Sequence, residues 1–181
     1  VSWAQLVRQV FVVEGGDDGD SLYGTGESDR LYGYAGDDVL VARAGDDVLT
    51  GATGNDTMDG GEGQDNYVFN LGDGQDHILD ASSYNVLTFG EGITKEDIVV
   101  TEVEEADGPA FLVTYGQQGD SVVLHSQDGS LPVTLVDSVA FADQTMVPFS
   151  TWLNHAPEVG ATVDDQQGRV GEALDFGLPS L

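Results

Sequence analysis

The chain has no cysteine, so neither disulfides nor thiolate metal sites are open to it, and any stapling of the fold must come from another source. Basic side chains are nearly as scarce. Only 5 Lys and Arg stand against 33 Asp and Glu, a formal net charge of −28 over 181 residues. Such a surface repels polyphosphates and anionic headgroups, which argues against nucleic acid and anionic membrane as direct partners. No apolar run approaches the roughly 18 residues of a membrane-crossing helix, so direct membrane insertion is not expected. There is no initiator Met and no signal-like segment, and the chain reads as a slice of something longer. The three histidines, His77, His125 and His155, form no HExxH or HxH pattern. Zinc or triad chemistry therefore has no local support, and each reads as a surface histidine.

What is present is a period. From Gly15 the sequence falls into blocks of nine: GGDDGDSLY (15–23), GTGESDRLY (24–32), GYAGDDVLV (33–41), ARAGDDVLT (42–50), GATGNDTMD (51–59) and GGEGQDNYV (60–68). The sixth position is always Asp: Asp20, Asp29, Asp38, Asp47, Asp56 and Asp65. Two residues later stands Leu22, Leu31, Leu40, Leu49, Met58 or Tyr67. Residues 15–80 hold 16 acidic residues against Arg30 and Arg43, a net of −14, so half of the chain's excess charge lies there. An acidic disordered stretch would not keep an apolar residue in phase through six blocks.

Each block has a physical reading. Glycines allow a tight turn, and the apolar residue centres a short strand with its side chain inward. Two blocks then make one coil of a flattened right-handed β-helix with parallel ladders. Blocks two apart stack, placing Asp20, Asp38 and Asp56 on one edge and Asp29, Asp47 and Asp65 on the other. Carboxylates about 4.8 Å apart repel by roughly 3.5 kcal/mol at an effective dielectric near 20. A hard cation between successive coils answers that repulsion, and a shell of carbonyls with one or two carboxylates suits calcium better than magnesium. Four same-edge pairs predict about four ions.

The blocks resemble the repeats-in-toxin (RTX) nonapeptide GGxGxDxUx. The resemblance implies a calcium β-roll, with the six Asp as carboxylate ligands and Gly36, Gly45, Gly54 and Gly63 at the carbonyl-presenting fourth position. The chain departs from the pattern at that position in Asp18 and Glu27, and at the second position in Thr25, Tyr34, Arg43 and Ala52. GDGQD at 72–76 followed by Ile78 fits a seventh unit once two residues are inserted, which adds Asp76 as a last ligand.

Either side of residues 15–80 the texture changes. Residues 1–14 read as a capping helix over 2–10, with Trp3, Leu6, Val7 and Val10 on one face, and a lead-in strand. A membrane or partner helix is the alternative. Residues 81–154 read as an antiparallel β region with strands at 85–89, 97–103, 110–115, 121–126 and 131–142, and Thr94 capping a short helical turn. LTFGEGITKEDIVV and VDSVAFADQTMVPFSTWL within it resemble the haemolysin-type calcium-binding-related domain. Residues 155–181 read as a linker and the start of a segment similar to cadherin-like or immunoglobulin-like domains.

The expected fold is thus all-β, a right-handed parallel β-roll with a capping helix and a following antiparallel region. The resemblance implies a non-catalytic calcium-binding module of a large secreted or bacterial cell-surface protein, an adhesin, exported by the type I route. Its expected partners are calcium and neighbouring domains of the same chain, with any glycan or cell-surface ligand unknown. An accessory, glycan-binding module of a secreted protease, lipase or polysaccharide-modifying enzyme is the competing reading. Tyr23, Tyr32 and Tyr34 offer a sugar-stacking patch, although strand-face packing explains them more simply.

Overall fold

The apolar residue of every nonapeptide points inward, and the fold follows from that. The computed structural model describes residues 10–153 apart from 81, 83, 107, 117, 118, 128 and 133. Successive strands alternate between two sheets. β1 (Phe11–Glu14), β3 (Asp29–Ala35), β5 (Val48–Thr53), β7 (Asn66–Phe69) and β9 (Asn85–Phe89) lie in one, while β2 (Ser21–Tyr23), β4 (Val39–Val41), β6 (Thr57–Asp59) and β8 (Gln75–Asp80) lie in the other. Every ladder among these strands is parallel.

The register places like on like. Leu22 pairs with Leu40, Leu40 with Met58 and Met58 with Ile78 in one sheet. Leu31 pairs with Leu49, Leu49 with Tyr67 and Tyr67 with Leu87 in the other. All but Leu22 are fully buried, and each such side chain contributes roughly 1.5–3 kcal/mol on leaving water. The step between stacked partners is 18 residues through the repeats and 20 at the last coil, as the hydrogen bonds from Asp38 to Asp56 and from Asp56 to Asp76 show.

The later strands are β10 (Val99–Glu105), β11 (Gly108–Tyr115), β12 (Asp120–Ser126), β13 (Val136–Phe141) and β14 (Met146–Pro148), followed by the short helix α1 (Ser150–Leu153). Their pairing differs from the antiparallel arrangement expected from the sequence. β9 continues the roll beside β7, β12 pairs parallel with β8, and β13 pairs parallel with β9. Antiparallel pairing is confined to β10–β11, β11–β12 and β13–β14. The reason lies in the core: Leu124 stacks on Ile78 and Val139 on Leu87, so the two apolar columns of the roll run on after the glycine turns stop.

Aromatic side chains fill the end of the roll. Phe89 lies 4.9 Å from Tyr115, 5.8 Å from Phe69 and 6.1 Å from Phe141 between ring centroids. Phe149 is buried against Phe111 and Trp152. Thr94 starts the 3₁₀ turn Lys95–Asp97, its backbone N–H and hydroxyl both donating to Asp97 Oδ2. The expected capping helix over residues 2–10 lies almost wholly outside the described residues, as does the segment 155–181. Among the described residues no helix is long and apolar enough to cross a membrane.

Candidate metal centre

The roll has two edges where turns connect its sheets, and each carries one column of aspartates. On the first, the backbone N–H of Asp20 donates to Asp38 Oδ1 (2.7 Å), Asp38 to Asp56 Oδ1 (2.8 Å) and Asp56 to Asp76 Oδ1 (2.9 Å). On the second, Asp29 donates to Asp47 Oδ1 (2.6 Å), Asp47 to Asp65 Oδ1 (2.8 Å) and Asp65 to Asn85 Oδ1 (2.8 Å). One carboxylate oxygen therefore ties each coil to its neighbour. Asp76 takes the place the inserted seventh unit gives it.

The other oxygen is left over. Asp38 Oδ2, Asp47 Oδ2, Asp56 Oδ2 and Asp65 Oδ2, with Asp29 Oδ1, are buried without a hydrogen-bond partner. A buried carboxylate oxygen with no partner is costly, because its lost hydration is not replaced. At Asp38, Asp56 and Asp65 the oxygen folds back against the first residue of its own block. A Cβ at Gly33, Gly51 or Gly60 would overlap Oδ2 of Asp38, Asp56 or Asp65, so a side chain there must yield or the carboxylate must turn. In the fourth block that position is Ala42.

Turn geometry separates the blocks into two groups. In the last four, the fourth-position glycines Gly36, Gly45, Gly54 and Gly63 have φ of +108°, +130°, +148° and +132°, a region open to glycine but not to side chains. The second position is left-handed as well, even where it holds Tyr34, Arg43 or Ala52. Turns 15–19 and 24–28, with Asp18 and Glu27 at the fourth position, contain no positive φ. The carbonyls of the regular turns face the next coil: a Cβ on Gly54 would strike Gly36 O, one on Gly63 would strike Gly45 O, and one on Gly74 would strike Gly54 O.

Electrostatics points the same way. Burial, followed by neighbouring carboxylates, raises Asp56 to about 6, with Asp38 its strongest charged neighbour. Asp65 and Asp76 are each raised to about 7, again first by burial, with Asp80 the leading charge on Asp65 and Asp56 the leading charge on Asp76. Asp38 and Asp47 shift upward for the same reasons. No three carboxylate or imidazole groups among the described residues converge on one metal-sized point. An ion between coils must therefore combine carboxylates with backbone carbonyls, an all-oxygen shell that calcium accepts readily. Orphaned carboxylate oxygens, glycine cradles and stacked carbonyls together fit that ion.

Other residues singled out from the sequence fall elsewhere. His77 and His125 stack on adjacent strands at 5.8 Å, and His125 is 9% exposed rather than superficial, because β12 is flanked by β8 and β11. His155 lies outside the described residues. Tyr32 stacks on Tyr34, whose hydroxyl donates to Glu14 Oε1, while Tyr23 packs beneath Arg43. The first pair flanks turn 33–37 and the second lies at turn 24–28, on the opposite edge, so the three tyrosines share no platform.

Sequence reasoning missed Asn85. It occupies the column position after Asp65, and its amide joins a buried network: Asn85 Nδ2 and the Tyr67 hydroxyl both donate to Asp80 Oδ2, at 2.9 and 2.6 Å, while Gly60 N–H donates to the Tyr67 oxygen. The spacing of 20 residues from Asp65, equal to that from Asp56 to Asp76, was the available signal.

The family model of the RTX calcium-binding nonapeptide repeat matches residues 14–49, 32–67 and 42–78. No curated protein matches the chain. Among solved structures, the AlgE6R3 subunit of the Azotobacter vinelandii mannuronan C5-epimerase is similar at 22% identity and a TM-score of 0.50, over 92% of this chain and 94% of that one. The AlgE6R2 subunit of the same enzyme is similar at 23% identity and a TM-score of 0.51, over 74% and 93%. At such identities the likeness concerns the fold. Residues 14–78 are RTX calcium-binding nonapeptide repeats, folded as a parallel β-roll.

Proposed function

We propose that this chain is a non-catalytic module that folds when calcium fills the columns of its roll, within a large secreted or cell-surface protein, an adhesin. The observation that carries the calcium reading is the row of buried, unpartnered carboxylate oxygens at Asp29, Asp38, Asp47, Asp56 and Asp65. Asp20, Asp29, Asp38, Asp47, Asp56, Asp65 and Asp76 would supply the carboxylates, and Gly36, Gly45, Gly54 and Gly63 the carbonyls. Without calcium these residues repel or must take up protons; with it, the coils lock, so binding energy becomes folding energy. Extracellular sites of this kind bind at about 0.1–1 mM, which suits a chain that stays extended where calcium is low and folds outside the cell.

Titrating far-UV circular dichroism with calcium, and separately with magnesium, tests this on the chain and on Asp47→Ala. A cooperative, calcium-selective gain of β signal that needs more calcium in the variant is the expected result. A chain equally folded in chelator, with no shift in the variant, defeats the proposal. The similarity to R subunits of an epimerase favours a second setting, an accessory module of a secreted polysaccharide-modifying enzyme. The sequence of the full protein on either side of residues 1–181 separates the two: tandem β-domains support the adhesin, a catalytic domain the enzyme.

A further inference from the structure

We infer that the edge carrying Asp56 ends in an additional cation site beyond the nonapeptides, with Asp76 and Asp120 as its carboxylates and Asp73 and the Tyr115 hydroxyl as its inner wall. The inference rests on the reading of the roll as a calcium column and extends it to residues that no repeat contains.

Topology brings these groups together. β12 pairs in parallel with β8, setting Ser121 opposite Gln75 and Val122 opposite Asp76, and the Ser121 N–H donates to Gly74 O. Asp120, the first residue of β12, is thereby carried to the 70–74 turn, where its Oδ2 accepts the Gly72 N–H at 2.8 Å. Asp73 Oδ2 accepts the Asn70 N–H at 2.6 Å, and Asp76 Oδ1 accepts the Asp56 N–H at 2.9 Å. All three carboxylates are buried, with Asp73 4%, Asp76 2% and Asp120 4% exposed. The ion pair formed among the described residues, Lys95 with Glu96, lies elsewhere. Two of them feel the charge of the others: Asp73 and Asp120 both raise Asp76, and Asp120 raises Asp73.

A second observation, independent of the acidic cluster, points to a ligand. Tyr115 is 1% exposed and its hydroxyl has no hydrogen-bond partner. That hydroxyl lies in the field of Asp76, Asp73, Asp120 and Asp56, which, after burial, push its pKa upward. A buried hydroxyl with no partner is costly, because its lost hydration is not replaced. Shared protons would relieve the carboxylates yet leave this hydroxyl without a partner where it stands. A hydrated cation satisfies both, since the carboxylates neutralise the ion and one of its waters bonds the phenol. Because no three carboxylates converge on one point among the described residues, carbonyls and water must complete the shell, and the irregular geometry this imposes suits calcium better than magnesium, which demands a near-ideal octahedron.

The other edge makes the contrast. There the column runs into Asn85, a neutral amide, and Asp80 already accepts from Tyr67 and Asn85. The column position after Asp65 is thus filled by a group without charge, although Asp59 Oδ1 and Asp65 Oδ2 stay without a hydrogen-bond partner there.

The test is ion counting on the full chain by equilibrium dialysis against calcium, with tyrosine-sensitised terbium emission as a local probe. Asp120→Asn keeps an oxygen to accept from Gly72 and removes the charge. It is expected to bind one ion fewer while retaining the β signal of the calcium-saturated chain. Tyr115→Phe is expected to lose part of the terbium emission and to weaken the site roughly tenfold, as outer-shell substitutions do. An unchanged ion count in Asp120→Asn together with unchanged emission in Tyr115→Phe overturns the site; if Asp120→Asn fails to fold, Tyr115→Phe decides alone. Asp38→Asn serves as the reference. If it loses an ion and Asp120→Asn does not, only the terminal site falls, whereas a parent chain that binds no calcium removes the roll reading and this inference with it.

Discussion

The two edges of the roll are built from the same nonapeptide and end differently. On one, Asp56 is followed by Asp76, and further carboxylates at Asp73 and Asp120 crowd the last turn. On the other, Asp65 is followed by Asn85, whose amide both accepts from the Asp65 N–H and donates to Asp80. One edge adds negative charge at its end; the other closes with a hydrogen-bonded network in which Tyr67, Asp80 and Asn85 are all fully buried. The column can thus be stopped by replacing its next carboxylate with an amide, whose oxygen accepts the same backbone N–H without bringing a charge to that position.

The comparison breaks most visibly at the aspartates above each end. Asp56 has a carboxylate neighbour on either side of its column, Asp38 and Asp76, whereas Asp65 has Asp47 and a neutral Asn85. Asp56→Ala is expected to shift the calcium midpoint of folding more than Asp65→Ala, since it disturbs two inter-coil gaps rather than one. Each variant also loses a charged hydrogen bond worth on the order of 1.5–3 kcal/mol. Equal shifts in calcium-titrated circular dichroism would mean that the amide end holds an ion after all. Next in size is Tyr67→Phe, which leaves the Gly60 N–H without an acceptor and takes from Asp80 Oδ2 one of its two donors, Asn85 Nδ2 remaining, and is expected to cost about 1–3 kcal/mol. Melting curves at saturating calcium should show the loss, while the ion count stays the same.

The parts of this molecule that were legible in the sequence are those tied to the nine-residue clock. Asp38 and Leu40 identify themselves because the five other blocks repeat the same offset, and Asp76 follows once two inserted residues are allowed. Leu87, Leu124 and Val139 extend the same apolar columns, but unequal stretches separate them. Alternation of period two identifies a strand without naming its neighbour. The sequence therefore reads as hairpins where the chain continues the roll. Asp120 and Tyr115 were hidden for that reason: only the parallel pairing of β12 with β8 carries Asp120 to the 70–74 turn. Asn85 escaped notice because an amide in place of a carboxylate does not register as a member of an acidic repeat.

Acid should act on the chelated chain in the direction opposite to its effect on the calcium-loaded one. Asp56, Asp65 and Asp76 are raised to about 6, 7 and 7 in the folded chain, against roughly 3.9 in an unfolded one. Groups raised on folding stabilise the fold fully below the unfolded pKa, and that contribution fades as pH rises through the folded value. In chelator, lowering the pH from 7.5 toward about 5 is therefore expected to increase β signal. In calcium the protons compete for the same oxygens, so the calcium midpoint rises as pH falls. Parallel titrations at several pH values check both signs, and a chelated chain that loses structure on mild acidification would contradict the folded-state shifts.

The smallest effect concerns a single methyl group. In the third, fifth and sixth blocks the first residue is glycine, and a Cβ there would overlap the free oxygen of the block's aspartate. The fourth block has Ala42, fully buried, at the equivalent position, so by analogy with those glycines its methyl is expected to press on Asp47. The Asp47 carboxylate must accommodate it, which narrows the directions in which Oδ2 can face an ion. Ala42→Gly removes the constraint, but it also enlarges the freedom of the unfolded chain, at a cost of roughly 0.5–1 kcal/mol. Two opposed signs follow. The variant is expected to bind calcium more tightly at one site in dialysis, yet to melt slightly lower in chelator at acid pH, where only chain entropy and packing are felt. Should the glycine variant instead bind calcium more weakly, the methyl would be supporting the Asp47 carboxylate rather than crowding it, and the edge carrying Asp65 would owe its geometry at that coil to alanine.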